Sequence, residues 1–145
     1  MKKLFFALFA LLFSVSTLSA EERVIDHHSL PKTAQQFIAT HYAADKVSIA
    51  TMERGVFDKD YKVILTSGVK LEFDGSGEWT EIECKRNSEV PMKVVPSKVA
   101  NYVSKRFPKS KIVKIERDKR SVDVELNNDM ELKFNNKGDL IEIDS

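Results

Sequence analysis

Apolar positions between residues 47 and 144 recur mostly with period 2, the spacing of half-buried strands. Val47 and Ile49 form one such run, followed by Tyr61, Val63 and Leu65, by Val69, Leu71 and Phe73, and by Thr80 and Ile82. The pattern resumes with Val122, Val124 and Leu126, then Met130, Leu132 and Phe134, then Ile141 and Ile143. Ser67-Gly68, Gly75-Ser76-Gly77, Asn128-Asp129 and Asn136-Lys137-Gly138 separate the runs as tight turns, which predicts antiparallel meanders. Two stretches have helical spacing instead: Ala34, Phe37, Ile38 and Tyr42, and Val99, Tyr102, Val103 and Phe107. Pro31 and Pro96 suit a first helical turn, where the missing N–H is not needed, and Pro108 stops the second helix.

Residues 61–83 align without a gap on residues 122–144, bringing Leu65 onto Leu126, Phe73 onto Phe134, Gly77 onto Gly138 and Ile82 onto Ile143. The chain therefore reads as two units, 30–83 and 95–144, each a helix followed by strands. A unit of about fifty residues is marginal as a separate core. The expectation is one domain over residues 21–145, of α+β class, built as a tandem repeat of helix plus antiparallel β-meander, in which the two meanders join or pack. Helices cover one face, and Cys84 to Val94 connect the units.

Lys2 and Lys3 precede an apolar run from Leu4 to Phe13 and a weakly polar Ser14 to Ala20, the three-part layout of a secretory signal peptide over residues 1–20. The run is too short to span a bilayer, so no stable membrane span is expected after cleavage behind Ala20 or Ser19. The remaining chain has 21 basic and 22 acidic residues, too balanced for a nucleic-acid partner. Its only cysteine, Cys84, excludes an internal disulfide and reads as a small, partly buried residue at a strand end.

Catalytic signatures are missing from the sequence. His27-His28 and His41 could offer imidazoles, but no Cys or carboxylate spacing completes a zinc site, and they read as solvated side chains. Asp74-Gly75-Ser76-Gly77-Glu78 is too short for an EF-hand loop and reads as a turn, and Asp58 and Asp60 lack partners at a diagnostic spacing. Arg117-Asp118-Lys119-Arg120 reads as a solvated turn. No serine nucleophile motif, phosphate-binding loop or Cys/His pair occurs, so the chain is read as a non-enzyme with no catalytic residue, metal or cofactor.

A leader, then twice a Leu/Val-Pro helix, a strand and a hairpin, make a characteristic layout. The first hairpin runs Val63-Ile64-Leu65-Thr66-Ser67-Gly68-Val69-Lys70-Leu71-Glu72-Phe73-Asp74-Gly75-Ser76-Gly77-Glu78-Trp79. This layout resembles the PepSY-like, beta-lactamase-inhibitor-like family of periplasmic proteins. The second copy departs from the hairpin pattern at Asp129, Asn135 and Leu140. The resemblance implies a fold similar to the beta-lactamase inhibitor protein and a periplasmic location; it supplies no catalytic residues.

Strand parity then suggests a contact surface. If Tyr61, Val63 and Leu65 face the core, Ile64 faces the other side of the sheet, and by the same alternation Trp79 and Leu140 point outward while Thr80, Ile82, Ile141 and Ile143 point inward. Such a face carries Ile64, Trp79 and Leu140 among Lys62, Lys70, Glu72, Glu81, Asp123, Glu125 and Lys133, the composition of an interface with a charged rim; Trp79 could equally cap the sheet. Val56-Phe57 forms an apolar pair in a strand connection that the second copy makes with fewer residues, so Phe57 either contacts a partner or folds back on its own sheet. The expected partner is an unknown exported protein. Self-association as an envelope module is the alternative.

Overall fold

The computed structural model describes residues 21–145; the predicted signal peptide lies outside the described residues. Among these residues nine strands form one antiparallel sheet in strict chain order: β1 Glu21–Ile25, β2 Val47–Arg54, β3 Lys59–Leu65, β4 Lys70–Phe73, β5 Trp79–Glu83, β6 Ile112–Arg117, β7 Ser121–Leu126, β8 Glu131–Asn135 and β9 Leu140–Asp144. Two ten-residue helices, α1 Lys32–His41 and α2 Ser97–Arg106, interrupt the meander after β1 and after β5. Pro31 and Pro96 are the residues immediately before them, at the N-cap rather than inside the first turn.

This corrects the α+β expectation of tandem helix-plus-meander units. The molecule is mostly β, and its sheet does not break between the supposed units. β5 pairs directly with β6 through Glu81↔Glu116, Ile82↔Ile115 and Glu83↔Lys114. The connector reinforces that junction, because the Cys84 N–H donates to the Val113 carbonyl at 2.7 Å and the Val90 N–H to the Ile112 carbonyl at 2.8 Å. β1, with only two apolar residues among five, has too little periodicity to be read from sequence.

The core lies between the helices and one face of the sheet. Ala34, Val99 and Val103 of the helices pack against Val63, Leu71, Phe73, Ile82, Ile115, Leu126, Leu132 and Phe134, all buried. Phe37 meets Phe73 edge-on at 5.8 Å between centroids, and Tyr102 meets Phe134 likewise at 5.6 Å, a geometry favoured by the ring quadrupoles. The other face has no covering element among the described residues. No helix among these residues is long and apolar enough to cross a membrane.

Candidate functional site

The uncovered sheet face follows directly from the pairing register. Directly opposed residues share a face, so Lys62, Glu72, Glu81, Glu116, Asp123 and Lys133 form one row across β3 to β8, opposite in direction to the buried Val63–Leu71–Ile82–Ile115–Val124–Leu132 row. At its centre four carboxylates stand side by side on four consecutive strands. Neighbouring Cβ atoms in such a row are about 4.5–5.5 Å apart, and like charges directly opposed destabilise a sheet. Two shallow grooves run along this row and meet at Glu72 and Thr80; Asp60 and Glu53 border one, Asp118 and Asp123 the other.

Two lysines from the neighbouring row partly compensate. Lys70 Nζ lies 3.0 Å from Glu81 and 3.2 Å from Glu83, and Lys114 Nζ lies 3.5 Å from Glu81 and 3.1 Å from Glu116. Glu81 is buried, but hydrogen bonds from Glu116 and Lys70 and the charges of Lys114 and Lys70 outweigh that burial and hold it below the ordinary carboxylate range. Glu116 moves the other way, because burial and then its hydrogen bond to Glu81 favour the protonated form. Burial likewise raises Glu72, aided by Glu81, and Asp123, whose Oδ1 is buried without a hydrogen-bond partner.

These directions give a testable pH dependence. A carboxyl raised in the folded state contributes stability that is complete below its unfolded value and lost as pH rises through its folded value. Hydrogen bonds lower Asp45, chiefly from Ser67, and Asp118, from the Arg120 and Ser121 N–H groups; their contributions disappear only as pH falls through their depressed values. Unfolding midpoints are therefore expected to rise from pH 7.5 to about 5 and to fall below about 4. Glu116→Gln should flatten the upper limb and stabilise the protein at pH 7.5 by about 1 kcal/mol or less, since half-exposed charges are screened. A stability profile unchanged by this substitution would refute the repulsive row.

The predicted contact residues do not form one patch. Ile64 faces the open side as read, half-buried beside Ile49, which is 41% exposed. Trp79 is the main correction: it is 6% exposed and points to the helix side. A bulge moves the register from Phe73↔Trp79 to Glu72↔Glu81, inserting one residue and placing Thr80 on the open side. Trp79 stands 6.5 Å from the Phe37 ring, and the Arg117 guanidinium stacks on it at 3.8 Å while donating from Nε to the Trp79 carbonyl at 2.8 Å.

A second bulge, between Phe134↔Leu140 and Lys133↔Glu142, turns Leu140 inward as well, half-buried against the core. Ile143, opposed to buried Leu132, keeps the inward side as expected, though at this sheet edge it is 44% exposed; Ile141, also expected inside, falls in the bulge and is 58% exposed. Phe57 is 93% exposed at the β2–β3 tip, where the Gly55 N–H donates to the Asp58 carbonyl, so the loop does not fold back on the sheet. It lies at the far end of β3 from Ile64, roughly 17 Å along the strand, and Leu140 is six strands from β3, roughly 29 Å away.

Strand parity places Glu72, Glu81 and Asp123 on this open face from sequence alone; Glu116 and the alignment of all four into one row are not readable, because the members come from positions far apart in the chain. His41, at the end of α1 with its ring 4.7 Å from Phe37, is separate from His27 and His28, which are exposed in the short turn before that helix. Burial keeps the free Cys84 thiol above its ordinary range, unsuited to act as a thiolate.

A family model described as "Putative beta-lactamase-inhibitor-like, PepSY-like" matches residues 59–142. A putative periplasmic protein of the DUF2874 family from Bacteroides vulgatus is 46% identical, with a TM-score of 0.83, over 86% of this chain and 98% of that one. A putative calcium-regulated periplasmic protein from Bacteroides thetaiotaomicron is 42% identical, with a TM-score of 0.82, over 86% of this chain and 97% of that one. A second Bacteroides vulgatus structure, a putative periplasmic protein of unknown function, is 32% identical, with a TM-score of 0.82, over 86% of this chain and all of its own 100%. No curated protein matches the chain.

Proposed function

The chain belongs to the PepSY-like, beta-lactamase-inhibitor-like family, and from that premise we propose that it is an exported, non-enzymatic module of the periplasm that binds another exported protein through its open sheet face. The periplasmic descriptions of its relatives and the predicted leader support the location. The carboxylate row carries the binding reading: like charges held in register cost folding energy, and a surface that retains them is shaped by contact rather than by stability. Ile64 and the Phe57 loop remain as candidate contacts, whereas Trp79 and Leu140 belong to the core side. The partner is recognised by polar, charge-complementary contact over a rigid sheet.

Self-association is the alternative. Edge-to-edge pairing is opposed by Glu21 and Glu22 on β1 and by Glu142 and Asp144 on β9, since charged edges resist strand addition.

Affinity capture from a periplasmic extract, with and without calcium, tests the reading alongside natively folded Ile64→Asp and Glu116→Lys variants. A partner held by the wild type and lost by both variants supports the open face. Equal capture by all three shifts the contact to the 55–58 loop, where Phe57→Ser should abolish it. Capture by none, with concentration-dependent sedimentation, replaces the proposal with self-association. Titration against beta-lactamases is expected to show no inhibition, because a shared fold does not transfer function.

A further inference from the structure

We propose that the turn Asp26-His27-His28 binds one divalent ion of the zinc, copper or nickel class. Each of the three residues offers one ligand atom, and these atoms lie within 4.8 Å of one another. Asp26 Oδ1 is 2.9 Å from His28 Nδ1 and 3.9 Å from His27 Nδ1, and the two rings lie side by side with centroids 4.0 Å apart. Donors sharing one tetrahedral ion at about 2.0–2.1 Å stand about 3.4 Å apart. Small side-chain rotations therefore suffice to bring all three onto a common centre, and water can fill the remaining positions because each side chain is at least half exposed.

The backbone beneath these ligands is already fixed. Asp26 Oδ1 accepts from the His28 N–H at 2.8 Å, the Ser29 N–H donates to the Asp26 carbonyl at 2.8 Å, and the Leu30 N–H donates to the His27 carbonyl at 3.2 Å. From α1, Gln35 Nε2 donates to the carbonyls of His28 at 3.1 Å and Leu30 at 2.7 Å, while buried Leu30 anchors the turn in the core. The turn is thus oriented before an ion arrives, which limits the ordering cost of binding. Two imidazoles with one carboxylate suit borderline metals; calcium, which takes oxygen ligands, is not the expected occupant.

Calorimetric titration of the untagged protein with zinc chloride tests the site. One ion per chain is expected, with His27→Ala and His28→Ala each weakening binding by about tenfold or more and excess calcium leaving it unchanged. His ring resonances of the wild type should shift on saturation. Absence of saturable one-to-one binding overturns the proposal. So does unaltered affinity in a natively folded double His variant, which would move the ion to carboxylates elsewhere.

Discussion

Trp79→Ala is expected to destabilise the protein by about 3–5 kcal/mol, the cost of emptying a large buried aromatic site. The indole is enclosed by Phe37 of α1 and by the Arg117 guanidinium, so truncation leaves a cavity beneath the helix and strips the cation of its aromatic partner. Burial already lowers the Arg117 pKa, against the opposing charges of Glu78 and Asp74. Without the ring, that partly desolvated charge keeps only the Trp79 carbonyl and Glu78, 3.4 Å from Nη2. Urea unfolding should show a much lower midpoint with an unchanged slope. A loss below about 1 kcal/mol would mean that the indole is not the packing element its surroundings imply.

The same residue shows where sequence reading stops. Alternation located Val63, Leu71, Phe73, Ile82 and Leu132 in the core because those strands are regular over the relevant span. It misplaced Trp79 and Leu140 because one extra residue in each of β5 and β9 reverses parity, and no residue type in Thr80 or Ile141 marks the insertion. The helices were legible from their apolar stripes, and Ala34, Val99 and Val103 are buried as spaced. Whether the two meanders join edge to edge or pack as separate sheets was left open by the sequence, since the β5–β6 ladder that joins them depends on a register set across the Cys84 to Val94 connector. The carboxylate row was hidden for the same reason. Glu72, Glu81, Glu116 and Asp123 become neighbours only once the three registers between their four strands are known.

Gly77→Ala is expected to cost about 2–4 kcal/mol, from left-handed backbone strain of about 1–2 kcal/mol plus steric conflict of similar size. Gly77 has φ +91°, and a Cβ there would lie 2.8 Å from the Pro31 Cβ and 3.0 Å from the Ala34 backbone nitrogen. Neither neighbour can yield alone, because Pro31 precedes α1 and Ala34 is buried within it, so relief requires the whole helix to lift from the sheet. Gly68 is the control. Its φ of +92° is the same, but the atom nearest its added Cβ is Cε of Lys85, near the end of an exposed and flexible side chain. At the aligned turn of the later hairpin, Asp129 occupies φ 70° without glycine, so left-handed geometry alone is affordable for a residue with a short polar side chain. Gly68→Ala should therefore cost only the backbone strain, about 1–2 kcal/mol. Thermal unfolding of the two variants tests the ranking: equal losses would show that backbone conformation, rather than the close approach of α1 to the β4–β5 turn, decides the cost.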